Sequence, residues 1–298
     1  MAKIGIVTVL YNSEKVLDEF FKSLDEQSYR NFTLYIIDNA STDNGLQKAH
    51  NLANKASFRC VFFEEKSNWG VAKGNNIGIN AALSDGCEYI LLSNNDVVLH
   101  HKNTLKSMVE RMNKTNIDIL CPKIYYYDSP NIIWAAGGDF IKHDTATVHF
   151  GSRKKDNGEF DEEIDIRYTP TCFVIIKAEI FKIIGLMDER YFVYYDDTDF
   201  MYRAWKAKCK IVYSPITSIL HNESSSTGMN SPFKLYQATQ NQVYFVKKNR
   251  TFLILIWLII YKIALIAFVH SRRFSKELIK AEVRGFLNGL RNTFKFEN

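Results

Sequence analysis

Apolar runs and amphipathic stretches alternate over the first third of the chain. Residues 3–10 form a short, β-branched and nearly continuous apolar run, which is the pattern of a buried parallel strand. Strand patterns return at residues 34–37, 60–63 and 89–92, with helical spacing between them. The first helix is predicted to begin at a cap formed by Asn12 or Ser13. This alternation predicts an α/β fold with a doubly wound, mostly parallel sheet.

The pattern changes beyond about residue 117. Further apolar runs predict a smaller mixed sheet, and the polar residues 151–167 predict a loop. Two helices and a strand are expected over 177–184, 196–208 and 210–213, with the strand ending at Pro215. The chain therefore divides into a regular α/β half and a mixed half that extends to residue 246.

Residues 252–269 are the most apolar part of the chain. Eighteen residues are at the lower limit for a membrane-spanning helix, and Lys262 near the middle would be costly in hydrocarbon. Amphipathic helical spacing continues from 278 to 294. We interpret these C-terminal helices as lying in a membrane interface. A buried core or homo-oligomer contact and a spanning helix remain the alternatives.

Charge is unevenly distributed. The net charge is +5, but residues 247–298 carry 11 Lys and Arg against 3 Asp and Glu. Because these basic residues are interleaved with apolar ones, they favour a membrane surface as partner over nucleic acid. Five scattered cysteines without a CxxC pair, and an N-terminus that directly enters a strand pattern, predict a cytoplasmic protein.

Two amides and a carboxylate interrupt the apolar run 90–99. Asn94, Asn95 and Asp96 follow a predicted strand, and the carboxyl ends of strands are where open α/β sheets bind ligands. An oxygen ligand at that point suits a divalent cation that holds phosphates. The alternative is an ordinary turn, in which Asn and Asp are common.

Two other segments bring polar groups to the same edge. Asp38 and Asp43 could accept hydrogen bonds from a nucleobase N–H or a ribose hydroxyl, although Asp43 could instead cap the next helix. Residues 68–78 place three glycines around Lys73, a cation available for a diphosphate. The same glycines could serve tight helix–sheet packing.

Three carboxylates, Asp196, Asp197 and Asp199, stand at a predicted helix start. The helix dipole accounts for one or two acidic residues there. Adjacent Asp196 and Asp197 would raise each other's proton affinity, which suits a general base. His221 follows a predicted strand. A lone histidine is usually structural, but together with Asp96 it becomes a second cation ligand.

These motifs, taken in order, resemble a known family. The matching segments are 8–12, 38–43, 68–78, 94–96, 185–189, 196–199 with Arg203, and His221. They are similar to those of the inverting family 2 glycosyltransferases with the GT-A fold, most closely the rhamnosyltransferase-like bacterial branch. The resemblance implies a nucleotide-diphosphate-sugar donor bound at the strand ends.

The resemblance also implies roles for individual residues. Donor binding is expected from Thr8, Tyr11, Asp38, Asp43, Lys73, Asn94 and Asn95. Asp96 and His221 would hold Mg²⁺ or Mn²⁺, and Asp197, with Asp196 beside it, would be the catalytic base. Acceptor contacts are expected from Asp188, Glu189, Asp199 and Arg203. Two positions depart from the family pattern, because Asn94 replaces the first Asp of the metal motif and Asp196 replaces a Glu.

The implied domain is GT-A over residues 1–246, with a nucleotide-binding half (1–117), an acceptor-binding half (118–246) and a membrane-associating segment (247–298). No Gln-x-x-Arg-Trp processivity signature is present. The implied function is transfer of one sugar to a hydroxyl of a lipid-linked or cell-surface glycan precursor, by a protein peripheral at the inner face of the membrane. The alternatives are a non-catalytic sugar-nucleotide or glycan-binding subunit and a sugar nucleotidyltransferase, which would need a Gly-rich loop after the first strand.

Overall fold

The computed structural model describes residues 1–141, 143, 145–222 and 231–291, and its first half alternates strands and helices. The elements of this half are β1 (Ile4–Leu10), α1 (Leu17–Asp25), β2 (Phe32–Asp38), α2 (Gly45–Ala53), β3 (Arg59–Glu64), α3 (Gly70–Ser84) and β4 (Tyr89–Ser93). Each predicted strand pattern overlaps one of these strands, and the first begins one residue later than predicted. The predicted cap at Asn12 or Ser13 was wrong, because α1 begins after Val16 without a side-chain cap.

The mixed half contains shorter elements. They are β5 (Val97–Val98), α4 (Thr104–Asn113), β6 (Ile119–Tyr126), β7 (Ser129–Ala135), β8 (Gly138–Ile141), β9 (Ala146–His149), β10 (Ile164–Asp165), β11 (Phe173–Lys177), α5 (Ile180–Ile184), α6 (Asp196–Lys206) and β12 (Ile211–His221). The helix predicted over 177–184 therefore begins later, and a strand precedes it. The strand predicted to end at Pro215 instead continues to His221, with a register irregularity between Tyr213 and Ser218.

Ten strands form one sheet in the order β10, β12, β6, β11, β4, β1, β2, β3, with β5 beside β12 and β7 beside β6. β1 pairs in parallel with β2 and β4, and β2 pairs in parallel with β3. β11 runs antiparallel between β4 and β6. β8 and β9 form a second, two-stranded sheet. The prediction of an α/β fold with a mostly parallel sheet and a mixed part is confirmed.

Helix α3 lies close against β1 because two of its glycines leave room. A Cβ atom on Gly74 would lie 2.9 Å from both Cγ atoms of Val9, and one on Gly78 would overlap the side chain of Val7. Such contacts are closer than side chains tolerate. The packing interpretation of these two glycines is therefore confirmed.

The strand register brings the polar loops together at one edge of the sheet. Leu10, at the end of β1, is opposite Asp38, at the end of β2, and β4 ends directly before Asn94. From the mixed half, His221 at the end of β12 pairs with Val97 of β5. We call this region, formed by the residues that end or follow β1, β2, β4 and β12, the functional edge.

Helical segments complete the described chain. They are α7 (Pro232–Asn249), α8 (Phe252–Leu265), a π-helical turn (Ile266–His270), α9 (Ser271–Arg273) and α10 (Lys276–Arg291). Together α8, the π-helical turn and α9 form one continuous helix, Phe252–Arg273, and α10 packs along α7. The last part of the predicted C-terminal segment, 292–298, lies outside the described residues.

Candidate active site

Among the buried oxygen atoms that lack hydrogen-bond partners within the described part of the chain, two belong to β1 and β2. They are Oγ1 of Thr8 and Oδ1 of Asp38, whose side chains are only 1% and 3% exposed. The other oxygen of Asp38 accepts a hydrogen bond from the Ser41 backbone N–H at 3.2 Å. Buried polar atoms are normally hydrogen-bonded, so these two indicate a place for a polar ligand. Tyr11 is half-exposed beside them.

Asn12 and Asp43 hold the loops after β1 and β2 together. Asn12 Oδ1 accepts hydrogen bonds from the backbone N–H of Thr42 at 2.8 Å and from its hydroxyl at 3.2 Å. Asp43 Oδ2 accepts from the Glu14 N–H, and Oδ1 accepts from the Gly45 N–H, both at 2.9 Å. Both carboxylate oxygens of Asp43 are thus engaged by backbone, and its donor contact stays a prediction.

Lys73 lies in the first turn of α3, with its Nζ 3.6 Å from the ring centroid of Trp69. This is a close cation–π contact. The start of α3 is held near the edge by Asn39, whose amide donates to the Gly70 carbonyl at 2.9 Å. Gly70 has a φ of +82°, and a Cβ there would overlap the carbonyl of Phe192. Only glycine fits this position, and because Gly70 is the first residue of α3, it fixes the start of the helix that carries Lys73.

In the motif that follows β4, Asn94 and Asn95 anchor the loop, and Asp96 is available for chemistry. The Asn95 amide donates to the Val9 carbonyl at 2.7 Å, and the Asn94 N–H donates to the Cys172 carbonyl at 2.8 Å. These bonds tie the loop to β1 and to the residue before β11. The Asp96 carboxylate lies beyond them, with Oδ1 3.2 Å from Nε2 of His221. The β5–β12 pairing brings these distant residues together.

Asp96 and His221 fit a divalent cation. Apart from its approach to His221 Nε2, the buried Asp96 Oδ1 has no hydrogen-bond partner among the described residues, and the other ring nitrogen of His221, Nδ1, has none either. Two neighbouring ligands of an octahedral cation with bonds of about 2.1 Å lie about 3 Å apart, which matches the observed pair. Within the described ranges no group of three or more His, Cys, Asp and Glu side chains could hold a metal. A cation here would therefore need further oxygen ligands from a bound diphosphate or water.

The acidic pair stands in the first turn of α6, and its two members differ in environment. Burial and the charge of Asp197 raise the pKa of Asp196 above its usual range. Asp197 is more exposed, and its oxygens accept hydrogen bonds from the Tyr168 hydroxyl and the Thr198 N–H, both at 2.6 Å. Burial also raises the pKa of Tyr168, which therefore stays a donor. Two hydrogen bonds therefore orient the Asp197 carboxylate, whereas Asp196 is buried in the protein interior.

The turn before the acidic pair is strained. Tyr194 and Tyr195 have φ angles of +65° and +66°, in the left-handed region that residues with a Cβ avoid. Each such residue costs about 1–3 kcal/mol and persists only where its surroundings impose it. The strain lies directly before Asp196, so the fold holds this turn in a fixed shape.

Two of the residues expected to contact an acceptor, Asp199 and Arg203, form an ion pair with each other. Asp199 is fully buried, and Arg203, Lys248 and Asn249 bind its carboxylate at 2.8–2.9 Å. Because Asp199 has no exposed surface, we assign it a structural role, whereas an acceptor contact by the partly exposed Arg203 stays a prediction.

Two further predicted acceptor residues also have protein partners. Burial would raise the pKa of Asp188, but hydrogen bonds from Arg190 and Lys248 outweigh it and lower the pKa well below its usual range. Glu189 accepts from the Asn76 amide at 3.0 Å. Acceptor contacts by Asp188 and Glu189 stay predictions.

Three rings that the sequence analysis did not identify connect the candidate cation site to the candidate base. Trp134 meets His221 edge to face at 4.6 Å between centroids, and it lies 4.7 Å from His149. His149 stacks on Tyr168 at 5.8 Å, and Tyr168 binds Asp197. We call Trp134, His149 and Tyr168 the aromatic wall. They come from separate segments, so no local sequence signal marks them.

Comparison with known proteins identifies the class. Residues 5–185 match the family model described as "Glycosyl transferase family 2", which covers more than half of the chain. The chain therefore belongs to the family 2 glycosyltransferases, and the resemblance noted in the sequence is confirmed. Family membership favours glycosyl transfer over the nucleotidyltransferase alternative.

Two curated relatives extend over most of the chain. Glycosyltransferase GlyG of Streptococcus pneumoniae is 25% identical over 82% of this chain and 79% of its own length. The dTDP-rhamnosyl transferase RfbF of Shigella flexneri is 25% identical over 97% of this chain and 96% of its own.

Solved structures show the same fold. TarS 1–349 of S. aureus, in complex with UDP-GlcNAc, has a TM-score of 0.63 at 18% identity, covering 96% of this chain and 81% of that one. The mannosyltransferase PcManGT of Pyrobaculum calidifontis, in complex with GDP-Man and Mn²⁺, has a TM-score of 0.58 at 12% identity, covering 98% of this chain and 88% of that one. At these identities the likeness concerns the fold alone.

Proposed function

We propose that this protein transfers one sugar from a nucleotide-diphosphate-sugar to an acceptor hydroxyl, with inversion at the anomeric carbon. One observation carries the proposal. It is the combination of unpartnered oxygens on Thr8 and Asp38, the Asp96–His221 pair, and an Asp197 carboxylate held by Tyr168 of the aromatic wall, which supports a donor site, a cation site and a base. Donor recognition, charge neutralisation and proton removal are the three tasks that such a transfer requires.

In the proposed step, Asp197 accepts the proton of the acceptor hydroxyl while the oxygen of that hydroxyl forms a bond to the anomeric carbon. The bond from that carbon to the diphosphate oxygen breaks, and the nucleoside diphosphate leaves with the electron pair. A bound Mg²⁺ or Mn²⁺ would offset the charge that grows on the leaving group. Asp96 and His221 are the residues that would hold it, and Lys73 supplies a second positive charge.

The aromatic wall is the proposed position of the acceptor. It runs from the cation ligand His221 to Tyr168, the partner of the base, so a sugar along it would lie between leaving group and base. Trp134 and His149 are each partly exposed. Aromatic rings offer a large rigid contact area, which suits the apolar face of a sugar ring. This placement replaces the ion-paired Asp199 and Arg203 as the main acceptor contact.

Thermal unfolding with a panel of UDP, GDP, dTDP and their sugars, with and without Mn²⁺, tests the donor site. Because RfbF is named for a dTDP-rhamnosyl donor, dTDP-rhamnose is the first compound to examine. We expect one nucleotide to stabilise the protein only with metal, by about 2.7 kcal/mol at a hundredfold excess over its Kd, or several degrees in Tm. Absence of a shift with every nucleotide would contradict the proposed function.

We further propose that the protein lies at a membrane surface. The helix Phe252–Arg273 is long and apolar enough to span a bilayer, and 11% of its apolar window is buried. Phe252, Leu253 and Ile260 are 63–77% exposed. However, Lys262 points to Glu282 of α10, with Nζ 3.5 Å from Oε1, and Glu282 is fully buried. Since this pair ties the helix to α10, we propose that only its outer face enters lipid.

Binding to vesicles tests this surface. We expect the protein to sediment with vesicles containing phosphatidylglycerol, less so at high salt, because Arg272 and Arg273 follow the apolar face. Ile260→Glu should strongly reduce binding. Ile183→Glu is the matched control, because Ile183 on α5 is exposed to the same 63%. Equal loss in both variants, or vesicle binding by neither variant nor wild type, would contradict a specific membrane face.

A further inference from the structure

A buried amide faces the strained turn before the acidic pair. Asn241 lies in α7 and has no exposed surface. Its Nδ2 donates to the carbonyl of Val193 and to the carbonyl of Tyr194, both at 2.9 Å. A side-chain amide has two N–H donors, so both are used on consecutive carbonyls of this turn. Asn241 Oδ1 has no hydrogen-bond partner in the described ranges.

The two tyrosines need such an external constraint. For residues with a Cβ, left-handed backbone is crowded against the following carbonyl, so local forces oppose this shape at two successive residues. Asn241 Nδ2 supplies a hydrogen bond to each of the two consecutive carbonyls, those of Val193 and Tyr194. Tyr195 is fixed separately, because its hydroxyl donates to the Thr145 carbonyl at 2.9 Å.

We infer that Asn241 is a positioning residue for the turn formed by residues 193–195, which we call the catalytic turn. By holding this turn, Asn241 makes α6 begin with Asp197 directed at the acceptor. This rests on the proposed function, because it takes Asp197 as the base. Asn241 touches neither the donor nor the acceptor in this assignment. It acts through the Val193 and Tyr194 carbonyls on the helix start that follows two residues later.

Helix α7 is a rigid support for this contact. α10 lies so close to it that a Cβ on Gly289 would be 2.6 Å from the Gln240 carbonyl oxygen, and one on Gly285 would overlap the carbonyl of Tyr236. The α7 backbone next to Asn241 is therefore packed tightly against α10. The two Asn241 hydrogen bonds thus join the catalytic turn to α7, which in turn packs against the helices that carry the proposed membrane face.

The test compares Asn241→Ala with Gln240→Ala in the full chain. Gln240 is the adjacent residue of α7, is 2% exposed, and its Oε1 has no partner among the described residues. The readout is Mn²⁺-dependent hydrolysis of the nucleotide sugar that gives the largest thermal shift, with water in place of the acceptor. A misplacement of about 1 Å costs about 10²-fold in rate. We expect a kcat loss of about that size for Asn241→Ala with unchanged KM, and wild-type kcat for Gln240→Ala.

Asn241→Leu separates hydrogen bonding from packing, because leucine fills a similar space without N–H donors. It should lose kcat as Asn241→Ala does. Wild-type kcat in either Asn241 variant, or equal losses in Asn241→Ala and Gln240→Ala, would overturn the inference. Should Asn241→Ala fail to fold, Asn241→Leu is compared with Gln240→Leu by the same criteria. A wild type that binds nucleotide but never hydrolyses it would instead contradict the proposed function.

Discussion

Replacing Asp197 by asparagine is expected to reduce sugar transfer by about 10²–10⁴-fold, the usual contribution of a general base. Asparagine keeps the size of the side chain and can still accept the Thr198 N–H bond, so the start of α6 should persist. It cannot accept the proton of the acceptor hydroxyl. Nucleotide-induced stabilisation should therefore be unchanged while turnover is lost. The measurement is donor hydrolysis or transfer, together with thermal unfolding.

Asp196→Asn is the matched control for this prediction. Burial and the neighbouring charge raise the pKa of Asp196, so its carboxyl group is already biased towards the neutral form that an amide imitates. We expect a much smaller loss of turnover than in Asp197→Asn. The reverse order would make Asp196 the base. Near-wild-type turnover in both variants would remove the acidic pair from the mechanism and favour a different base.

The sequence was sufficient for the regular half of the sheet, because β1 to β4 are continuous apolar runs with short helices between them. It failed at β11, the strand between β4 and β6. Its five residues, Phe173–Lys177, are apolar enough for a strand or a helix, and periodicity cannot separate the two over so short a run. The strand corresponding to β12 was predicted to end at Pro215, because a proline normally ends the hydrogen-bonded pairing of strands. In the structure the register shifts near this proline and the strand continues.

Within the site, the sequence could name residue types but not their partners. Asp199 and Asp96 are both acidic residues beside predicted elements, yet one is enclosed by Arg203 and Lys248 and the other has an unpartnered oxygen. The difference depends on α7, which follows Asp199 by more than thirty residues and supplies Lys248. The aromatic wall and Asn241 were missed for the same reason, since only tertiary packing brings them to the acidic turn.

Removing either proposed cation ligand should abolish the metal-dependent part of nucleotide stabilisation. Even residues behind a metal's direct ligands contribute about 10–100-fold to affinity, so Asp96→Ala and His221→Ala should each weaken Mn²⁺ dependence at least that much. Because both hold one ion, the double variant should lose little more than either single variant. The measurement is a Mn²⁺ titration of nucleotide-induced thermal stabilisation.

His149→Ala is the control for this titration. His149 contacts Trp134 of the aromatic wall, and Trp134 in turn contacts His221, but His149 has no place in the proposed cation site. The His149→Ala variant should keep the full Mn²⁺-dependent thermal stabilisation and lose only sugar transfer to the acceptor. Additive losses in Asp96→Ala and His221→Ala would indicate two independent sites. An unaltered titration in both would leave their 3.2 Å approach as an ordinary ion pair and place the cation elsewhere.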